Sequence, residues 1–270
     1  DAPTKGNQEG IFGYGTTGSY GWVAVTNLVS NTGVVSTDVT GVGTAREAAA
    51  ACEYGGDKGI FAYGYDNPQQ SLSNLVSNAG VVATDVTGVG TARYALAACS
   101  YSANKDKGIF GFGYSSGYDS MTNLVTNAGV VGTDVTGVGT ARQGSAACEY
   151  GGDKGIFGFG YDGSYYGMTN LVSNTGVVAT DVTAVGTVRR APAACGYGYD
   201  KGIFGFGYTP TYVGMTNLVS NAGVVATDVS AVGTISGFLA ACEYGGDKGI
   251  FGYGQNAGGK LSITNLVSNA

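Results

Sequence analysis

The chain of 270 residues consists of short apolar runs separated by turn residues, and the same runs recur along its length. Each unit has four of them: a (Ala-Ala-Cys-Glu-Tyr), b (Gly-Ile-Phe-Gly-Tyr-Gly), c (Thr-Asn-Leu-Val-Ser) and d (Gly-Val-Val-Ala-Thr-Asp-Val). Val, Thr, Tyr and Phe favour strands over helices. Turn signals, Gly-Gly-Asp-Lys-Gly between a and b and Asn-(Thr/Ala)-Gly between c and d, join the runs. The pattern predicts four short strands in each unit and no helix.

The units repeat at intervals of 47 to 49 residues within a single repeat domain that covers residues 1–270. They start near Gly10, Gly59, Gly108, Gly155, Gly202 and Gly249. Four antiparallel strands in roughly 45 residues, repeated, are typical of a β-propeller. The predicted fold is therefore all-β, a β-propeller of four-stranded antiparallel blades, with six blades favoured. Five or seven blades and a parallel β-helix are the alternatives.

The last unit stops after run c, and the first residues align only loosely with run a. From the sequence we therefore expect either a fragment of a longer chain or a closed ring that lacks one strand.

The order of motifs within a unit resembles the kelch repeat. Between Arg142 and Arg189 the chain has a small-residue strand, Gly-Gly-Asp-Lys-Gly-Ile-Phe-Gly-Phe-Gly-Tyr, a variable stretch, Met-Thr-Asn-Leu-Val, a turn, Val-Val and Thr-Val-Arg. The near-identical glycine-rich units are also similar to those in tail-fibre and appendage proteins of bacteriophages and environmental bacteria. These resemblances imply a binding scaffold rather than an enzyme, at an extracellular location or on a virion surface.

Composition excludes several kinds of chemistry. Histidine is absent, which removes the Ser-His-Asp triad, the Cys-His dyad and the common zinc sites. A net charge of −6 with 13 basic residues argues against a nucleic-acid partner. No apolar run approaches the 18 or more residues of a membrane helix, so we expect no membrane insertion. No pair of carboxylates stands out for glycoside hydrolysis. We therefore expect no enzyme activity, no cofactor and no metal site.

Two series of repeated residues are predicted to be structural. Equivalent cysteines on neighbouring blades lie too far apart for disulfides, so these residues are expected to be small, buried, free thiols. They are Cys52, Cys99, Cys148, Cys195 and Cys242. The aspartates of run d are expected to cap turns or to pair with a series of arginines. That series is Arg46, Arg93, Arg142 and Arg189.

The units differ mainly in the b–c and d–a connections, whereas the a–b turn changes little apart from an insertion at 102–105. In an up-and-down blade both variable connections fall on one face, and loops on a rigid scaffold are where recognition residues concentrate. Aromatic rings in such loops are suited to contacts. The predicted ligand-binding residues are Tyr20, Trp22, Asp66, Gln70, Tyr118, Asp119, Tyr165, Tyr166, Arg190 and Tyr212.

The sequence thus predicts a non-enzymatic binding or adhesion module that presents variable loops to a carbohydrate or another cell-surface receptor. The alternative is a structural protein of a virion, fibre or surface assembly, whose loops contact other copies or other structural proteins. Replacing Tyr165 and Tyr166 is expected to weaken ligand binding while leaving the melting temperature nearly unchanged.

Overall fold

A computed structural model describes residues 8–18 and 21–269. In these ranges the secondary structure is all-β, as predicted. None of the described residues forms a helix long and apolar enough to cross a membrane. The strands are β1 (Gly10–Thr16), β2 (Trp22–Val29), β3 (Ala50–Tyr54), β4 (Lys58–Tyr65), β5 (Gln69–Val76), β6 (Ala97–Ser100), β7 (Gly108–Tyr114), β8 (Tyr118–Val125), β9 (Ala146–Tyr150), β10 (Lys154–Tyr161), β11 (Tyr165–Val172), β12 (Ala193–Tyr197), β13 (Lys201–Tyr208), β14 (Tyr212–Val219), β15 (Ala240–Tyr244), β16 (Lys248–Gly252), β17 (Gln255–Asn256), β18 (Gly259–Lys260) and β19 (Thr264–Val267).

Five three-stranded sheets carry runs a, b and c in that order: β3-β4-β5, β6-β7-β8, β9-β10-β11, β12-β13-β14 and β15-β16-β19. We number them units 2 to 6, and unit 1 is the pair β1-β2. A small hairpin, β17-β18, replaces the simple b–c connection of unit 6. Every strand pair among the described residues is antiparallel, so the parallel β-helix alternative is wrong.

Run d does not form the regular fourth strand that the sequence predicts. In unit 4 its strand pairing with β11 is limited to two isolated bridges, Thr169↔Val182 and Val172↔Val178. Between them, the amide of Asn170 donates to the main-chain oxygen of Ala179 (3.0 Å) and to a carboxylate oxygen of Asp181 (2.9 Å). A side chain thus takes the place of part of the main-chain hydrogen bonding between the strands. The prediction of four-stranded blades is therefore wrong in this respect: each such unit is a three-stranded sheet with an attached run d.

Neighbouring units pack through aromatic rings of run b. In six edge-to-face pairs the ring centroids lie 5.1–5.4 Å apart: Tyr14–Phe61, Tyr63–Phe110, Phe112–Phe157, Phe159–Phe204, Phe206–Phe251 and Tyr253–Phe12. The last pair joins unit 6 to unit 1. Run b needs glycine here: a Cβ on Gly111 would lie 2.8 Å from the ring of Phe157.

A buried arginine strengthens each contact between units 1 to 5. Arg142 is fully buried and donates to the main-chain oxygens of Phe159 (2.7 Å) and Thr140 (2.9 Å) and to Asn170 Oδ1 (2.7 Å). Its guanidinium lies 4.0 Å from the ring centroid of Phe112. Burial lowers the pKa of Arg142 to about 10. Arg46, Arg93 and Arg189 repeat the arrangement, whereas unit 5 ends with Ser236 at this position.

In units 2 to 5 the aspartates of run d complete the same contacts, and Asp181 lies 3.8 Å from Arg142, a partner that the sequence suggested. Asp181 accepts hydrogen bonds from the main-chain nitrogen (3.0 Å) and the hydroxyl (2.7 Å) of Thr140 in the preceding unit. Burial opposes ionisation of Asp181, but these bonds and that from Asn170 outweigh it and lower the pKa of the carboxyl. We call this Thr–Asp–Asn–Arg arrangement the unit latch.

The innermost strands line a cavity of about 190 Å³ that contains all five repeated cysteines. All five are free thiols, as predicted. Burial raises the pKa of each thiol, so they behave as small apolar side chains rather than as nucleophiles.

Candidate binding face

A continuous row of aromatic rings follows the b–c hairpins and the d–a connections from unit to unit. Successive ring centroids lie 5.1–6.4 Å apart. We call it the aromatic row, and its members are Trp22, Tyr65, Tyr94, Tyr114, Tyr118, Tyr161, Tyr165, Tyr208 and Tyr212. All of them are half-buried, so part of each ring meets solvent.

The pairing register of runs b and c brings neighbouring rings of the row into contact. In unit 4 the last residue of run b, Tyr161, pairs directly with the first residue of run c, Tyr165, and their rings lie 5.1 Å apart. A register shift between Gly158 and Gly160 precedes this pair. Because a bulge redirects the strand that contains it, the hairpin ends present their rings at the edge of each sheet. Tyr165 then meets Tyr208 of the next unit at 6.3 Å.

Two phenol groups of the row, those of Tyr94 and Tyr118, have a raised pKa and stay protonated at neutral pH. Burial, reinforced by the neighbouring tyrosines, raises the pKa of Tyr94. The pKa of Tyr118 is raised by the same two causes. At these two positions the row offers hydroxyl groups that can both donate and accept hydrogen bonds.

Arg190 lies among the rings of units 4 to 6. Its guanidinium carbon is 4.9 Å from the ring centroid of Tyr161, 5.3 Å from that of Tyr208 and 5.9 Å from that of Phe238. The Nε atom of Arg190 is buried and has no hydrogen-bond partner among the described residues. The rings thus hold a cation whose hydrogen-bonding capacity is unused.

Two further buried polar atoms of the described residues lack partners, and they belong to the same variable connections. They are Asp119 Oδ2, at the start of run c in unit 3, and Gln143 Oε1, in the following d–a connection. The two residues are neighbours in space, because the main-chain nitrogen of Arg142 donates to the main-chain oxygen of Asp119 (3.1 Å). Buried polar groups in proteins are normally satisfied, so unpartnered ones point to a missing water or ligand.

The structure separates the predicted site residues into groups. Trp22, Tyr118, Tyr165 and Tyr212 lie in the aromatic row, with Arg190 and Asp119 beside it. Tyr20, which the sequence also predicts as a binding residue, lies outside the described residues.

The remaining predicted residues bond to their own loops. Gln70 Nε2 donates to Asp66 Oδ1 at 2.5 Å. The hydroxyl of Tyr166 donates to Asp162 at 2.9 Å, and Tyr166 is not among the rings of the row.

Sequence reasoning missed five members of the row: Tyr65, Tyr94, Tyr114, Tyr161 and Tyr208. Four of them are the same residue in four units, and the prediction considered only positions that vary. The tyrosine that follows Ala-Tyr-Gly in unit 2 and Gly-Phe-Gly in units 3 to 5, at the end of run b, was the available signal.

A second polar cluster, the axial cluster, lies in the central cavity. Lys105, from the insertion in unit 3, forms ion pairs with Glu149, with Glu243 (2.5 Å) and with Glu53 (3.3 Å). The hydroxyl of Ser100 lies 3.0 Å from the second oxygen of Glu149. Unit 5 has Gly196 at the equivalent position, where a Cβ would collide with the carboxylate of Glu243.

The charges of the axial cluster are unbalanced, because one ammonium faces three carboxyl groups. Burial and Glu243 raise the pKa of Glu149 to about 8, although Lys105 opposes them. Burial alone would lower the pKa of Lys105, but the carboxylates outweigh it and raise this pKa well above its usual value. The ion pairs of the axial cluster join side chains from units 2, 3, 4 and 6.

No protein-family model matches this sequence, and no curated protein matches it. The candidate site therefore stands on the geometry of the aromatic row and its polar neighbours alone.

Proposed function

We propose that the chain is a six-bladed, kelch-like β-propeller that acts as a non-enzymatic adhesion module, binding carbohydrate on a cell surface through the aromatic row. Six equivalent ring pairs between units support the blade count, because the pair between Tyr253 and Phe12 links the last unit to the first with the same 5.3 Å spacing. We place such a module outside the cell or on a virion surface.

The observation that carries the proposal is the row itself. Aromatic rings spaced 5.1–6.4 Å apart, with polar groups beside them, offer apolar platforms for the faces of sugar rings and hydrogen bonds for their hydroxyl groups. A row that runs from unit 1 to unit 5 can contact several sugars of one polymer at once. Weak individual contacts then combine into useful avidity.

The test is binding to an array of polysaccharides by the intact chain and by Tyr118→Leu and Tyr165→Leu variants. Leucine keeps apolar volume in the row but removes the ring and the hydroxyl. We expect each variant to bind at least tenfold more weakly, a loss of about 1.4 kcal/mol. An aromatic anchor in an interface commonly contributes that much or more.

The matched control is Tyr199→Gly. Tyr199 is 44% exposed and lies in the a–b turn of unit 5, where Gly56, Gly152 and Gly246 stand in units 2, 4 and 6. Its φ of 72° favours glycine, so the change is compatible with the fold. Tyr199→Gly should leave polysaccharide binding unaltered. Equal losses in all three variants, or no binding to any polysaccharide, would rule out the aromatic row as a carbohydrate site.

One observation favours the second candidate, a structural protein of an assembly. The first residue after each c–d turn is an exposed valine, between 59% and 65% accessible: Val34, Val81, Val130, Val177 and Val224. Repeated apolar side chains around a rim are typical of surfaces that contact other proteins. Sedimentation of the intact chain distinguishes the candidates: ordered oligomers that dissociate on Val130→Lys and Val177→Lys substitution, without polysaccharide binding, would favour assembly.

A further inference from the structure

One structural position changes its chemical character from unit to unit. It directly follows the arginine of each unit latch, or Ser236 in unit 5, and its main chain forms an isolated bridge with the last residue of a run b or, in unit 6, with Gln255. Because this main-chain pairing is the same throughout, the side chain can differ without any change in the fold. We call these residues the variable column, and they are Glu47, Tyr94, Gln143, Arg190 and Gly237.

Two members of the variable column lie side by side. The main-chain nitrogen of Ala191 donates to the main-chain oxygen of Gly144 (2.7 Å), and a Cβ on Gly144 would lie 3.5 Å from the Cβ of Arg190. The main-chain nitrogen of Gln143 donates to the main-chain oxygen of Tyr161 (3.0 Å), and the guanidinium of Arg190 lies over the ring of the same tyrosine. Gln143 and Arg190 therefore border one ring of the aromatic row.

Arg190 is a cation without a counter-ion among the described residues. Its guanidinium forms no ion pair and donates no hydrogen bond to them, and only its Nε atom is enclosed, so the terminal nitrogens reach solvent. The carboxylate of Asp162, in the b–c loop of the same unit, is occupied by the hydroxyl of Tyr166 (2.9 Å) and the main-chain nitrogen of Ser164 (3.1 Å). A guanidinium that is held by rings and has no acid beside it is suited to bind an oxyanion.

Two acceptors next to this cation also lack partners. Gln143 Oε1 and Asp119 Oδ2 accept no hydrogen bond from the described residues, although both atoms are buried. Both side chains are half-buried, so each can turn its oxygen toward an incoming hydroxyl group. An inorganic anion would satisfy Arg190 but would bring no donor for these oxygens. A sugar that carries an anionic group offers an oxyanion for Arg190 and hydroxyl donors for Gln143 and Asp119.

We propose that Arg190, Gln143 and Asp119 form a subsite for an anionic sugar, so that the aromatic row selects polysaccharides that carry carboxylate or sulfate groups. The terminal nitrogens of Arg190 bind the oxyanion, and the two acceptors bind hydroxyl groups of the same or the next sugar. This inference rests on the proposed carbohydrate binding and adds the class of polymer. With a net charge of −6 the protein has no general attraction for polyanions, so the selectivity depends on this one cation.

The test compares polysaccharides that differ only in charge. Polygalacturonate and its methyl ester share sugar and linkage, and dextran sulfate and dextran form the corresponding sulfate pair. In calorimetry at physiological ionic strength, the intact chain should bind the anionic member of one pair about tenfold more tightly than its neutral partner. The pair that shows the preference identifies the anionic group. Polyglutamate, a polyanion without sugars, should bind no better than the neutral polymers.

Three variants locate the subsite. Arg190→Gln should bind both members of the pair equally, whereas Arg190→Lys, which keeps the charge, should retain part of the preference. Lys260→Gln is the matched control, because it removes an exposed cation from the small hairpin of unit 6, where the ammonium bonds to Gln255 at 3.0 Å. It should leave the preference of the intact chain unchanged.

The possible failures are distinguishable. Equal binding of charged and neutral polysaccharides by the intact chain overturns the anionic subsite and leaves carbohydrate binding by the aromatic row standing. Binding to none of the polysaccharides overturns both. A preference that survives Arg190→Gln, one that is lost equally in Lys260→Gln, or equally tight binding of polyglutamate also overturns the anionic-sugar subsite.

Discussion

Replacing Lys105 by methionine should destabilise the protein, and more so at high pH. The ammonium of Lys105 lies 2.5 Å from Glu243 and 3.3 Å from Glu53 and also pairs with Glu149, so its removal leaves three carboxyl groups facing one another in the cavity. Lys105 and Glu149 are both more than nine-tenths buried. Removing one partner of a buried ion pair commonly costs about 3–5 kcal/mol, because the remaining charge is uncompensated.

The dependence on pH follows from Glu149. Its pKa in the folded protein is raised to about 8 from an ordinary value of 4.5, so the folded state favours the neutral acid. Unfolding releases this constraint, and the free energy of unfolding therefore falls as pH rises from about 4.5 to about 8. The slope can reach about 1.4 kcal/mol per pH unit for a single group. Without Lys105, ionisation of Glu149 becomes still more costly, so the loss of stability should be smaller at pH 5 than at pH 9.

Urea unfolding at pH 5 and pH 9, followed by circular dichroism, measures both effects. Lys154→Met is the matched control, because Lys154 pairs with Asp153 at the surface and its side chain is 41% exposed. It should change little at either pH. Glu149→Gln, which keeps a polar group near Ser100 but cannot ionise, should flatten the decline between pH 5 and pH 9. Equal destabilisation of Lys105→Met at both pH values, or an unchanged slope in Glu149→Gln, would refute this account of the axial cluster.

Three other outcomes are expected. Arg142→Ser should lower the free energy of unfolding by roughly 3–5 kcal/mol, because three buried acceptors lose their donor, and urea titration measures it. If Arg142→Ser lowers the free energy of unfolding by less than a surface substitution does, the proposed stabilising role of the unit latch is wrong. Arg190→Gln should weaken polysaccharide binding at least tenfold with little change in melting temperature, since Arg190 Nε has no partner to lose; calorimetry checks both. A thiol reagent at pH 8 should react slowly with the folded protein and then label five cysteines per chain after denaturation; rapid labelling of the folded chain would show that the thiols are not shielded.

The sequence correctly predicted the antiparallel pairing of strands that are joined by tight main-chain turns. Gly151 and Gly152, with φ of 64° and 75°, make the tight a–b turn that their sequence motif indicates, and antiparallel pairing follows. Run d was predicted less well because its pairing depends on a side chain. The amide of Asn170 takes positions that main-chain groups would otherwise occupy, and strand propensity contains no information about that competition.

The candidate site was predicted only in part for a similar reason. Variation between units identified Tyr118, Tyr165 and Tyr212, but the rings that connect them, such as Tyr161 and Tyr208, do not vary. The axial cluster could not be predicted, because the insertion that contains Lys105 gives no indication that its side chain reaches glutamates in three other units.

The unit latches have a consequence for the order in which the protein folds. Each latch joins a threonine to an aspartate 41 or 43 residues later in the chain, so each can form as soon as two neighbouring units are available. The contacts between units 6 and 1 must bring together residues from opposite ends of the described chain, as in the ring pair Phe12–Tyr253 and the hydrogen bond from the main-chain nitrogen of Gly245 to the main-chain oxygen of Gln8 (2.8 Å). Closure of such a long loop is entropically the most costly step. Folding should therefore spread from unit to unit, with the contact between units 6 and 1 forming last.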